Sequence, residues 1–198
     1  MYRLYDYLPS GNGYKVRLLL HQLGIPFELI ELDIVKGRTR TPEFLAKNPN
    51  GRIPTLEVEP GVFLPESNAI LFYLAEGTPF VPTDRLERAQ VLQWMCFEQY
   101  SHEPNIATVR FWVTHDLLTP ERRAQLEQKR ALGDAALGVM QQHLAARTFF
   151  VGERYSIADI ALYAYTHVAD QGGFELARFP AVTAWLDRVK MQPGHVKM

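Results

Sequence analysis

The chain has 198 residues, of which 47% are hydrophobic and 12% aromatic, so it can bury a sizeable core in one large or two small domains. Its 21 basic residues against 22 acidic ones give a formal charge of -1, which excludes an overall electrostatic attraction to nucleic acid or to an anionic membrane. No apolar run is long enough to cross a membrane and no signal-peptide core opens the chain, so we expect a cytoplasmic protein whose partners are small molecules or other proteins.

Up to about Ala75, short strand-like segments alternate with helical ones. The segments "YRLYDYL", "PFELIELD", "IPTLEVE" and "GVFLPE" are predicted strands, the last two joined by a Pro-Gly turn. Helices are predicted after the loop "YLPSGNGYKV", at "TPEFLAKN", where Thr41 is a candidate N-cap, and at "ESNAILFYLAE". The order βαβαββα, with a helical connection first and a hairpin last, predicts a mixed sheet.

Strand patterns largely disappear after "EGTPFVPTD", a stretch rich in proline and glycine that reads as a linker. Long helical segments follow, and "SIADIALYAYTHVA" carries Ser156 and Asp159 as a variant of the capping box. We therefore predict an α/β domain at 1–76, a linker at 77–84 and an all-helical domain at 85–198.

Nucleophile and metal motifs are absent from the sequence. The six histidines are scattered, and Glu98 with His102, four residues apart, lacks an evident third ligand, so no metal site is predicted. The single cysteine, Cys96, excludes an intrachain disulfide, fits a reducing compartment and is expected to be buried and inert.

Three segments end a strand or open a helix and are candidates for ligand binding. Ser10 and Asn12 precede or begin the first helix, where backbone N–H groups favour an anion or a thiolate, although either residue could simply cap the helix. Pro54 stands before the third strand, where an X-Pro bond is usually trans but a functional cis bond is possible. Ser67, beside Glu66, opens the third helix and could cap it or bind a carboxylate.

The order of these segments resembles the cytosolic glutathione transferase family over essentially the whole chain. The motifs that carry the resemblance are "SGNGYKVRLLL", "NPNGRIPTL", "PESNAILFYLAE" and "GERYSIADIALY". The family implies a thioredoxin-like first domain that binds glutathione, and Asn12 makes the loop similar to that of bacterial and fungal members of the Nu-class and Ure2-like branches.

The resemblance assigns roles to individual residues. It implies a cis bond before Pro54, with the main chain of Ile53 pairing with the cysteinyl part of glutathione. Glu66 and Ser67 match the pair that holds the γ-glutamyl end. Arg40, and less directly Arg38 or Lys36, precedes the second helix and could meet the glycyl carboxylate or belong to a solvated basic loop.

Either Ser10 or Asn12 could donate to the glutathione thiolate, and the resemblance leaves that choice open. The family also implies an electrophile pocket built partly from the helices after the linker, and generally a homodimer in which Glu98, His102 and Glu103 could reach a neighbour's glutathione. The candidate lining residues are Tyr100, Asn105, Arg110, Phe111 and Trp112.

The sequence therefore predicts a transferase that conjugates glutathione to a small hydrophobic electrophile, as in detoxification. The alternatives are a glutathione-dependent disulfide reductase or peroxidase, favoured by Asn12 in the loop, and a non-catalytic glutathione-binding module. Ser156 and Asp159 receive a structural role as a helix cap.

Overall fold

A computed structural model describes residues 1–198, and its contacts divide the chain into two compact units. The first unit is formed by Met1–Thr78 together with Pro193–Met198, and the second by Pro79–Gln192. No helix is long and apolar enough to span a membrane.

The first unit contains a four-stranded mixed sheet flanked by helices, in the order predicted from the sequence. Its elements are β1 (Tyr2–Asp6), α1 (Gly11–Gln22), β2 (Phe27–Glu31), α2 (Pro42–Leu45), β3 (Thr55–Glu59), β4 (Val62–Pro65) and α3 (Ser67–Ala75). The strand order is β2-β1-β3-β4, with β1 parallel to β2 and antiparallel to β3, and with β3 and β4 forming the antiparallel hairpin. The predicted fold class is confirmed.

Local sequence explains where the helices of this unit begin. Ser10 caps α1, and the Thr41 hydroxyl accepts from the Phe44 N–H to cap α2, with Pro42 at the first helical position. The register places Leu4 opposite Leu29 on one side and Leu56 on the other. Leu4 and Leu56 are fully buried, so the core lies at the centre of the sheet beneath α1 and α3.

The chain's last residues belong to this first unit. The hydroxyl of Tyr14, a fully buried residue of α1, donates a 2.7 Å hydrogen bond to the Val196 carbonyl. It also lies 3.3 Å from Nε2 of His195. The segment Pro193–Met198 is thereby fastened to the helix that follows the "YLPSGNG" loop.

The second unit is entirely helical apart from one isolated bridge between Val151 and Arg154. Its helices are α4 (Arg85–Phe97), α5 (Glu103–Thr114), α6 (Pro120–Leu144), α7 (Ile157–Thr166) and α8 (Pro180–Lys190). A π-helical turn, Glu98–His102, joins α4 to α5, so the long helix expected here is continuous but locally unwound.

The capping box predicted at the start of α7 is confirmed. The Ser156 hydroxyl accepts from the Ala158 N–H, while the Asp159 carboxylate accepts from the Ser156 N–H at 3.0 Å. Asp159 is fully buried and also accepts from Trp185 Nε1 at 2.9 Å and from the Phe150 N–H at 3.2 Å. One carboxylate therefore joins α7, α8 and the segment before α7, which agrees with a structural role.

Candidate functional site

The β1–α1 loop, residues Tyr7–Ser10, ends at a capped helix start. Ser10 donates its N–H to the Tyr7 carbonyl at 2.7 Å, and its Oγ accepts from the Gly13 N–H at 3.3 Å. The capping alternative for Ser10 is thus confirmed. An O–H group that accepts in this way still has its own proton to donate, so the cap does not prevent Ser10 from acting on a ligand.

The N-termini of α1 and α3 meet through one buried hydroxyl. Ser67 Oγ donates to Asn12 Oδ1 at 3.2 Å and lies 3.4 Å from Lys15 Nζ, which donates to it. Ser67 is 5% exposed and Lys15 is completely buried. Two of the segments selected from the sequence, 55 residues apart, therefore form one cluster, which we call the Asn12–Ser67–Lys15 cluster.

The charge distribution of this cluster favours an anion. Both helix N-termini carry partial positive charge on backbone N–H groups, and the Lys15 ammonium adds a full positive charge beside Ser67. Lys15 was not among the site residues predicted from the sequence. The available signal was a lysine between Tyr14 and Val16 in a mostly apolar helical segment. The structure buries residues 13–20 throughout, and a charge in such a place requires a polar partner.

Glu66 immediately precedes this cluster and is exposed. Its backbone has φ 71° and ψ 112°, in the left-handed region that few residues other than glycine adopt. Its side chain makes no capping hydrogen bond to α3. The carboxylate is therefore held at the surface beside Ser67, and the backbone conformation that holds it there is one that proteins retain mainly at functional positions.

The segment before β3 is held by a buried amide. Asn48, 3% exposed, donates from Nδ2 to the Arg52 carbonyl at 2.8 Å and to Thr55 Oγ1 at 3.1 Å. The Ile53–Pro54 bond is cis, as the family resemblance implied. Neither the N–H nor the C=O of Ile53 takes part in a hydrogen bond within the chain.

Arg40 borders the same segment from the turn before α2. It is exposed, and its Nη1 donates to the Asn50 carbonyl at 2.9 Å. Gly51 has φ 61°, and a Cβ there would lie 2.5 Å from this guanidinium nitrogen. Lys36 instead pairs with Asp33 on the surface, and Arg38 is exposed. Of the three basic residues considered, Arg40 is the one that donates a hydrogen bond to the segment before β3, through the Asn50 carbonyl.

A buried ion pair lies beneath the β1–α1 loop and was not foreseen from the sequence. Arg17 Nε lies 2.9 Å from Asp6 Oδ2, with Arg17 8% exposed and Asp6 fully buried. Burial raises the pKa of the Asp6 carboxyl to about 6, and the attraction of Arg17 together with the Tyr7 N–H opposes that shift only in part.

The five residues predicted to line the electrophile pocket make different contacts within the helical unit. Asn105 is buried and donates to the Ser101 carbonyl, and Arg110 is buried and donates to Gln171 Oε1 at 2.7 Å. The Trp112 ring lies near the cationic groups of α6, and the Phe111 ring packs on His115. Tyr100 is 88% exposed. These contacts do not test whether the five side chains line one pocket, so their role as electrophile lining stays a prediction.

Two expectations for α4 and the π-helical turn are wrong. Glu98 and His102 are fully buried, with His102 Nε2 2.8 Å from Thr166 Oγ1, so neither side chain can reach a neighbouring subunit's glutathione. Cys96 is exposed on the surface of α4 rather than buried. Both errors concern which face of the helix turns inward, which the polar and apolar residues mixed in this segment do not specify.

Comparison with known proteins identifies the class. The family "Glutathione S-transferase, N-terminal domain" matches residues 1–76, and "Glutathione S-transferase, C-terminal domain" matches residues 92–193. The chain belongs to the cytosolic glutathione transferase family.

Individual relatives agree with this assignment. A glutathione S-transferase structure from Pseudomonas fluorescens is 53% identical, with a TM-score of 0.97 over 99% of this chain and 98% of that one. The disulfide-bond oxidoreductase YfcG of Escherichia coli is 32% identical, over 95% of this chain and 90% of its own length. A Pseudomonas fluorescens family member solved with two glutathione molecules bound is 30% identical, with a TM-score of 0.84 over 98% and 89% of the chains.

Proposed function

We propose that this protein is a transferase that conjugates the glutathione thiolate to a small hydrophobic electrophile. The observation that carries the proposal is the Asn12–Ser67–Lys15 cluster, in which a predicted thiol-binding loop and a predicted γ-glutamyl site are joined by one hydrogen bond. Glutathione carries a carboxylate and a thiol that suit two neighbouring helix N-termini.

The γ-glutamyl end would bind at the start of α3. Its carboxylate would accept from the Ser67 hydroxyl and from backbone N–H groups, with the Lys15 ammonium behind Ser67. Its ammonium would pair with the exposed Glu66 carboxylate. Since Lys15 Nζ contacts Ser67 rather than the surface, we assign Lys15 an electrostatic contribution to carboxylate binding.

The remainder of glutathione would lie along the segment before β3. The main-chain N–H and C=O of Ile53, beside Pro54, have no partner within the chain and would pair with the cysteinyl residue as an added strand does. The guanidinium of Arg40, fixed by the Asn50 carbonyl, would meet the glycyl carboxylate.

The thiol would be ionised by the start of α1. A cysteine thiol has a pKa of about 8.5, so lowering it by about two units makes the thiolate the main form at neutral pH and requires about 2.7 kcal/mol of differential stabilisation. The Ser10 hydroxyl, the Asn12 amide and the α1 N-terminus can supply it together. The thiolate sulfur then bonds to the electrophilic carbon, and the leaving group departs with its electron pair.

The rest of the assignment follows the family. We propose a glutathione-binding domain at 1–76, a linker at 77–84 and a helical domain that begins at residue 85 and contributes to the electrophile pocket. The helical domain was expected to reach residue 198, but Pro193–Met198 belong to the first compact unit. The aromatic candidates for its lining are Tyr100, which is exposed, and Phe111 and Trp112, which are half-buried, while Asn105 and Arg110 would support it from buried positions. We also propose a cytoplasmic homodimer, supported by exposed apolar side chains on α4 such as Leu86 and Leu92.

The proposal is tested by glutathione binding and by substitutions at the start of α1. Wild-type protein should bind immobilised glutathione. It should also lower the thiol pKa of bound glutathione, which is measured from the ultraviolet absorbance of the thiolate. Asn12→Ala should raise that pKa further than Ser10→Ala, because it removes a donor and also the link to Ser67. Absence of glutathione binding, or of conjugation across a broad panel of electrophiles, would refute the proposal.

A second function is favoured by the resemblance to the Escherichia coli oxidoreductase. In this alternative the same glutathione thiolate attacks a disulfide sulfur, forms a mixed disulfide and releases one thiolate of the substrate. A second glutathione then attacks the mixed disulfide, giving glutathione disulfide and releasing the other thiol of the substrate. Parallel assays with a chloronitrobenzene, hydroxyethyl disulfide and an organic hydroperoxide separate the two functions. Conjugation without disulfide or peroxide turnover would exclude the alternative, and the reverse result would replace the first proposal.

A further inference from the structure

The buried ion pair at the end of β1 contacts the loop that precedes the thiol-binding helix at more than one point. Arg17 Nη2 donates to the Leu8 carbonyl at 2.7 Å while its Nε faces Asp6 at 2.9 Å. The other carboxylate oxygen, Asp6 Oδ1, accepts from the Tyr7 N–H at 2.6 Å. Two side chains thus hold the two residues that open the loop.

The other side of the Asp6 carboxylate lies against α1. A Cβ built on Gly13 would lie 1.6 Å from Asp6 Oδ1, so the first turn of the helix rests directly on this carboxylate. Gly13 also donates its N–H to Ser10 Oγ. The Asp6 carboxylate therefore contacts both Tyr7 and Gly13, and Gly13 in turn binds the Ser10 side chain.

Such a pair is a costly way to gain stability alone. Desolvation of buried charges offsets most of their attraction, and an apolar pair of similar volume is often at least as stable. The two charges do provide directed hydrogen bonds to a main chain that must hold one conformation.

We propose that Asp6 and Arg17 are positioning residues that keep the β1–α1 loop in the conformation in which Ser10 and the α1 N-terminus stabilise the glutathione thiolate. This inference rests on the proposed function for the identity of the ligand, and it extends that function to two residues that do not touch glutathione. Its consequence is a division of roles: the pair governs ionisation of the thiol, whereas the start of α3 governs affinity for the γ-glutamyl end.

The test compares Arg17→Met, which keeps the length of the side chain and removes both interactions, with Arg17→Lys, which keeps the charge without the planar fork. Arg3→Met is the matched control, because Arg3 lies on β1, the strand that carries Asp6, and forms an exposed ion pair with Glu28 at 2.7 Å. Each full-length variant is measured in two ways: amide hydrogen exchange without ligand, and the thiol pKa of bound glutathione from the thiolate absorbance. The dissociation constant of S-methylglutathione, which has no thiol proton, reports the remaining contacts.

Arg17→Met should increase amide exchange about tenfold over residues 7–13 and leave the start of α3 unchanged. It should raise the thiol pKa of bound glutathione by about one unit, which is a tenfold fall in the ratio of thiolate to thiol at any given pH. The dissociation constant of S-methylglutathione should change by less than about threefold. Arg17→Lys should recover part of both effects, and Arg3→Met should match the wild type.

A folded Arg17→Met variant with wild-type exchange over residues 7–13, or with an unchanged thiol pKa, overturns the inference. If Arg17→Met does not fold, the double variant Asp6→Asn/Arg17→Met removes both charges while position 6 still accepts from the Tyr7 N–H, and the same outcomes apply to it. If wild-type protein does not lower the thiol pKa, the proposed function fails. In that case Asp6 and Arg17 have no role in ionising the thiol, and that part of the inference fails too. Amide hydrogen exchange over residues 7–13 still decides whether the ion pair holds the loop.

Discussion

Replacement of Gly13 by alanine should destabilise the protein, although alanine is the better helix former. The added Cβ would lie 1.6 Å and 2.0 Å from Oδ1 and Cγ of Asp6, so the carboxylate or the helix must move by about 2 Å to reach ordinary contact. Because Asp6 is fully buried and paired with Arg17, this movement separates the pair. Breaking a buried pair from one side costs about 3–5 kcal/mol, and the gain in helix propensity returns about 1 kcal/mol. The expected net loss is about 2–4 kcal/mol.

The measurement is chemical denaturation followed by far-ultraviolet circular dichroism, supported by calorimetry. Tryptophan fluorescence is less suitable, because Trp94, Trp112 and Trp185 all lie in the helical unit. Gly138→Ala on α6 is the matched control, since a Cβ there meets nothing within 4 Å and should stabilise by about 0.5–1 kcal/mol. Asp6→Ala added to Gly13→Ala should cost less than its effect in the wild type, because both changes disrupt the same pair. A Gly13→Ala protein as stable as the Gly138→Ala control would refute the steric reasoning.

Three further predictions concern hydrogen bonds of buried side chains. Burial raises the pKa of Asp159 to about 6 against an ordinary 3.8, so the folded state takes up a proton first as the pH falls, and the stability of the wild type relative to Asp159→Asn should increase by about 1 kcal/mol between pH 7 and pH 5. A decrease of that difference at lower pH would contradict the raised pKa. Ser156→Ala should lose about 1 kcal/mol in thermal or chemical unfolding through loss of the α7 cap, and an unchanged midpoint would argue against the cap. Asn48→Ala should lower the free energy of unfolding by about 1–3 kcal/mol, because it frees the segment that carries Ile53. Calorimetry and steady-state kinetics should show a larger fold-change in glutathione affinity than in kcat. Unchanged affinity would show that the segment is held by other contacts.

The features predicted correctly from the sequence are mostly local ones. The βαβαββα order, the Thr41 cap and the Ser156–Asp159 box depend on residues within a few positions of one another, where residue type and spacing determine the hydrogen bonds. The cis bond before Pro54 was a different case, because residue type alone favoured trans and only the family resemblance implied cis.

The features that were missed depend on contacts between distant residues. Lys15 and Arg17 sit on a helix whose neighbouring apolar residues define its buried face, and burial of their charges is possible only because Ser67 and Asp6 come from other elements. The inward faces of Glu98 and His102 likewise follow from the π-helical turn and from Thr166 on α7. Helical periodicity carries no information on such pairings.

The attachment of Pro193–Met198 to the first unit bears on how the chain folds and how it can be dissected. The first unit is discontinuous in sequence, so the bond from Tyr14 to the Val196 carbonyl forms only after the helical unit has been synthesised. A fragment that ends at residue 78 would lack that bond at the helix that positions Ser10. The thioredoxin-like half should consequently be less stable when expressed alone than within the whole chain, even though its sheet is complete by Pro65.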